Sequence, residues 1–65
     1  MITVHYFIPN AHRSTKIEFS DIDVPLSKIT DLADKLDYPV FNAYENHAFI
    51  GYGTKFANGW NYHAY

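Results

Sequence analysis

Only one stretch of this chain has a helical period, and that limits what the rest can do. In VPLSKITDLADKLDYP (Val24 to Pro39), Leu26, Ile29, Leu32, Ala33 and Leu36 follow the i, i+3, i+7 spacing of an amphipathic helix. Ser27 or Asp23 can cap its start, and Pro25 suits a first turn. Pro39 pushes Tyr38 out of helical geometry and ends it. Three turns of helix can cover one face of a sheet and no more.

The flanking segments alternate with a period of two. Ile2, Val4, Tyr6 and Ile8 share one face of a strand, and Thr3, His5 and Phe7 share the other. PNAHRS supplies turn residues, after which Thr15, Ile17 and Phe19 alternate with Lys16, Glu18 and Ser20. The apolar parity slips between Phe19 and Ile22, which predicts a bulge or bend near Ser20 and Asp21. Beyond the helix, VFNAY and AFIGYGTKF read as strands joined by ENH. Asn58-Gly59, the strongest short hairpin signal, returns WNYHAY as the last strand. Gly51 and Gly53 mark either a bulge or close packing against a neighbour. The expected fold is α+β with the order ββαβββ. It has an antiparallel sheet of four to five strands with one helix on one face, in a single domain over residues 1–65.

A two-residue turn at Asn58-Gly59 sets Ala57 against Trp60, Phe56 against Asn61 and Lys55 against Tyr62. Trp60, Tyr62 and Ala64 then share one face, and Phe56, His63 and Tyr65 the other. Lys55 is a poor core residue, so its companions Trp60 and Tyr62 are expected on the bare face. His63 and Tyr65 are expected to pack inward beside Phe56. Leu32 and Ile29 are expected to face the sheet.

A chain of 65 residues buries only about 60% of its unfolded surface and has a thin stability margin. It contains no cysteine, which excludes disulfides and thiolate metal sites and suits a reducing compartment. Twelve aromatic residues are the compensation available, each ring able to bury ~150–250 Å². The start MITVHYFIPN lacks a basic opening and an apolar stretch of signal-peptide length, and no later run could span a bilayer. The expectation is a cytoplasmic protein with no membrane association.

The net charge of −2 conceals a layout. From Glu18 to Asp37, six acids oppose Lys28 and Lys35, a local balance of −4. The remainder sets Glu45 against Arg13, Lys16 and Lys55, a balance of +2. Asp31 can pair with Lys28 and Lys35 along the helix. Asp34 and Asp37 have no helical cation nearby, and Asp37 opposes the helix dipole. These two are candidate contacts for a basic partner.

No pattern of catalysis or cofactor binding emerges. The four histidines (His5, His12, His47, His63) fit neither a helical zinc motif nor a zinc knuckle, although His5 and His63 sit on strands that could adjoin. No serine occupies a nucleophile elbow, and Gly51-Tyr52-Gly53 leads into strand rather than helix. A domain this small is expected to lack a ligand pocket of ~300–1,000 Å³. No enzyme activity, cofactor or metal is expected. Rings on a sheet can stack single-stranded bases, but that needs a basic groove, and only Arg13, Lys16 and Lys55 lie near the sheet. Direct nucleic-acid binding is disfavoured.

Exposed Tyr and Trp beside an acidic flank point to a protein-binding module, with Asp34, Asp37, Lys55, Trp60 and Tyr62 as its contact residues. In size and outline, a few strands around one helix with DLADKLD and GWNYHAY on its surfaces, the chain resembles small phage-encoded inhibitors of host machinery. Anti-CRISPR proteins are the best-known group. The resemblance implies stoichiometric blocking of a nucleic-acid-handling enzyme or complex, in a bacterial host cell, by occupying a binding groove. The alternatives are a self-associating structural or regulatory module, dimerised through the bare sheet face or the last strand, and an aromatic binder of single-stranded nucleic acid.

Overall fold

The computed structural model describes residues 1–20 and 24–65. Strands β1 (Ile2–Phe7) and β2 (Ser14–Phe19) form a hairpin, followed by helix α1 (Leu26–Leu36). Strands β3 (Val40–Glu45), β4 (Ala48–Phe56) and β5 (Gly59–Ala64) follow. All pair antiparallel in one sheet, as expected for ββαβββ, and the strand order is β2-β1-β3-β4-β5. The bend expected at Ser20 and Asp21 and the cap at Asp23 fall on or beside residues 21–23, which lie outside the described residues. Pro25 is the extended residue preceding α1, and no side chain caps the helix, so Ser27 does not serve as one.

The core lies between α1 and one face of the sheet. Ile2, Val4 and Tyr6 of β1, Phe19 of β2, and Phe41 and Ala43 of β3 are buried there. Ile29 and Ala33 are the buried residues of α1. Leu32 and Leu36 pack half-buried at the margin, and Leu26 is exposed, so the covered stripe is narrower than the spacing implied. Tyr6 crosses the core to donate a hydrogen bond to the Ile29 carbonyl at 2.9 Å, and burial pushes its pKa up to about 12.

Two turns depart from expectation. Asn46 and His47 both take positive φ (48° and 73°), as the central residues of a type I′ hairpin turn must. At the β4–β5 turn only Gly59 has positive φ, so Asn58-Gly59 does not form the type I′ turn that this pair favours. The turn is centred one residue earlier, on Ala57-Asn58, and Lys55 opposes Trp60 with Phe56 opposite Gly59.

The glycines of β4 shape the core. A Cβ on Gly53 would collide with the Phe41 ring, and one on Gly51 would collide with the Tyr62 phenol. Rings from β3 and β5 therefore fold across β4. The register also shifts beside Ala43 and Tyr44, leaving Ile50 as an extra residue between the Ala43–Gly51 and Tyr44–Phe49 pairs. That bulge turns Ile50 toward the core and Phe49 toward the opposite face, where it meets Tyr44 and Tyr65.

Gly53→Ala should destabilise the fold by about 1–3 kcal/mol, since the Phe41 ring is buried and cannot swing aside. Thermal unfolding checks this directly. An alanine variant that melts with the parent would mean that Phe41 does not lie over Gly53.

Candidate functional site

The five residues singled out from the sequence do cluster, but on the helix side of the sheet. The faces are reversed from expectation. Trp60 and Tyr62 pack half-buried against the core, with ring centroids 5.5 and 6.2 Å from that of Phe41. Tyr62 also donates to the Ile50 carbonyl at 3.3 Å. His63 and Tyr65 do not pack inward, and Tyr65 is 93% exposed.

Lys55 explains the reversal. Its Nζ lies 5.8 Å from the Trp60 ring centroid and donates to Asp34 Oδ1 at 2.5 Å. A lysine can cover a ring with its stem while its charge meets a partner at the rim. Trp60 Nε1 donates to the same carboxylate oxygen at 3.2 Å. The hydrogen bond from Lys55 is the main reason the Asp34 carboxyl is held below its ordinary range, with the Trp60 bond and the Lys55 charge adding to it against a desolvation cost. Asp34 therefore has a structural partner after all, supplied by β4 rather than by its own helix.

Asp37 has a structural reason as well. It ends α1 in the left-handed conformation (φ 64°, ψ 47°), one residue before the predicted stop, and its N–H donates to the Asp34 carbonyl at 3.2 Å. The Tyr38 N–H reaches the Ala33 carbonyl at 2.9 Å. Among non-glycine residues, Asp and Asn tolerate this position best. Arg13, which the sequence places only in a basic flank, donates to the Leu36 carbonyl at 2.8 Å and supplies positive charge at the helix C-terminus. Its guanidinium lies 4.8 Å from the centre of the Tyr38 ring. Tyr38 is itself buried and bonded to Thr15 at 2.8 Å, a core role that a helix-stop reading misses.

The opposite face carries no element of the described chain, and strand parity gathers a second set of rings there. β1 presents His5 and Phe7, with centroids 5.5 Å apart. Tyr52 stacks on His63 at 5.1 Å across β4 and β5. Phe49 bridges Tyr44 and Tyr65 at 5.6 and 5.4 Å. Phe56 is 51% exposed and Tyr52 41%. Alternation along the strands groups His5 with Phe7, and Phe56 with His63 and Tyr65. Phe49 joins them only through the bulge, and assigning the set to the bare face requires knowing where Lys55 goes. The face has little charge. Arg13 and Lys55 are engaged on the helix side, which leaves Lys16, followed along β2 by Glu18.

His5 and His63 are not neighbours, because β3 and β4 separate their strands. Among the described residues, no three of His, Asp and Glu converge as a metal site. Surface clefts of about 300 and 500 Å³ do form, so the expectation of no ligand-sized volume fails. The larger is lined by Ala33, Asp34, Asp37, Tyr38 and Lys55, the residues that close the end of the helix. No helix of the described residues is long and apolar enough to cross a membrane. Compared with protein-family models, curated proteins and solved structures, the chain matches none.

Replacing Asp34 by Asn keeps an acceptor for Trp60 and removes the ionic contact with Lys55. The lowered carboxyl pKa means that the ionic contribution is complete above the ordinary value of 3.8 and is lost as pH falls through the lower folded value. Asp34→Asn should therefore melt slightly below the parent at neutral pH, with the gap closing in acid. A gap that persists at the acid end would show that the charge of Asp34 contributes nothing.

Proposed function

We propose that this chain is a non-enzymatic protein-binding module whose contact surface is the open face of the sheet. The observation behind this reading is the set of rings that the helix leaves uncovered, Tyr52, Phe56 and Tyr65 above all. Tyrosine and phenylalanine are enriched at protein interfaces, whose centres are depleted of charge, and this face has both properties. Five strands at ~4.8 Å spacing, paired over about six residues each, outline a platform of roughly 400–500 Å² before side chains add relief. That suits the smaller interfaces between proteins. The partner is a protein surface of matching character, apolar at its centre and polar at its rim.

The resemblance to small phage-encoded inhibitors makes that partner a nucleic-acid-handling complex, blocked stoichiometrically in the cytoplasm of a bacterial host. In this form of the reading the open face, rather than Trp60 and Tyr62, carries the docking energy. Asp34, being tied to Lys55, contributes less to steering than its isolation on the helix suggested. Stacking of single-stranded bases is the weaker reading, because Lys16 is the one Lys or Arg on the open face among the described residues.

Capture from a bacterial lysate with immobilised parent and Tyr52→Ala/Phe56→Ala proteins, read by mass spectrometry, tests the reading. A partner held by the parent should be lost or weakened at least ~30-fold by the double variant, the two rings contributing about 2 kcal/mol together. The variant should keep the parent's circular dichroism. Equal retention of the partner by both proteins would move the interface elsewhere. Salt-dependent binding of an oligonucleotide by the parent would favour the nucleic-acid reading.

A further inference from the structure

The two edges of the sheet are guarded differently. β2 carries Lys16 and Glu18, charges that discourage another strand from pairing with it. β5, with sequence GWNYHA, has no formal charge and no proline. Tyr65 N–H bonds to the Ile50 carbonyl at 3.0 Å, so the odd-numbered residues of β5 direct their backbone groups toward β4. Trp60, Tyr62 and Ala64 direct theirs outward. Among the described residues, no backbone group bonds to that outer row.

We propose that a second copy of this chain pairs with this edge, β5 against β5′, antiparallel about a twofold axis at Tyr62. The two sheets join into one of ten strands. The case for a second copy is the self-complementarity of the strand. Pairing outward groups with outward groups restricts the register to steps of two in the sum of the paired residue numbers. With Tyr62 opposite Tyr62′, Trp60 meets Ala64′ and Asn61 meets His63′. A large ring is set against a small side chain on the helix face, and an amide against an imidazole on the open face. Six intermolecular backbone hydrogen bonds close the outer row. One step in one direction sets Trp60 against Tyr62′, and one step in the other sets His63 against His63′. Both give up pairs and lose the size match. A twofold interface uses the same patch on both copies, which this register provides. The edge is uncharged, so the net negative charge of the chain is not concentrated at the contact. The dimer leaves both open faces accessible and does not depend on the docking role proposed for them.

Sedimentation velocity of the parent, from micromolar to millimolar concentration, should show a monomer passing to a dimer. Ala64→Pro removes an outward N–H from each copy and no bond to β4. It should raise the dissociation constant at least ~tenfold while leaving circular dichroism and melting of the monomer unchanged. Because the chain has no cysteine, mixed Asn61→Cys and His63→Cys proteins report the register. They should oxidise to the mixed disulfide faster than either forms its own, since directly opposite Cα atoms lie within disulfide range and diagonal ones do not. A parent that stays monomeric across the series overturns the proposal. So does a dimer that survives Ala64→Pro and is dissolved by Tyr52→Ser, which would place the contact face to face.

Discussion

The Phe41 ring lying across Gly53 is the contact on which the rest of this fold depends. Without a Cβ at Gly53, a side chain from β3 can cross β4 and reach the rings of β5. The same ring meets Tyr6 of β1 at 6.0 Å. The aromatic layer so formed runs under the helix from β1 to β5. It compensates for what a chain of this length lacks, namely disulfides and a long helix with many buried residues. Its consequence is positional, because rings recruited to this layer are consumed by the fold.

Much of the architecture is legible in the sequence, because it rests on local periodicity. The alternation of Ile2, Val4 and Tyr6 and the single amphipathic run ending near Pro39 are enough for ββαβββ and for one covered face. What local periodicity cannot supply is the identity of that face. By residue type Lys55 marks solvent, yet its ammonium reaches Asp34, 21 residues earlier in the chain, and lies over the Trp60 ring. Turn chemistry misleads in a similar way. Asn-Gly is the strongest hairpin pair by type, but the doubly left-handed turn occurs at Asn46-His47, and Gly59 instead opens β5. The unpaired aspartates illustrate the same limit, since one is satisfied by a strand residue and the other by its backbone conformation.

Asp34, Lys55 and Trp60 tie the helix to the sheet, Asp37 ends the helix and Tyr62 packs on Phe41, so the surfaces proposed for a partner are the open face and the β5 edge. They differ in physical character. The face offers ring area with little charge, and its energy would come from burial of apolar surface. The edge offers backbone hydrogen bonds whose direction fixes a register. The Ile50 bulge links the two, since it turns Phe49 to the open face, where Tyr65 at the end of β5 joins it.

Hydroxyl-radical footprinting of the monomer, read residue by residue and normalised to the urea-unfolded chain, tests the reversal of faces most directly. Tyr65 should react near its unfolded rate, Tyr52 and Phe56 should each be less protected than Trp60 and Tyr62, and Phe41 should be nearly silent. Protection of Tyr52 and Phe56 together with free reaction of Trp60 and Tyr62 would contradict the account, by showing that the helix covers the other face.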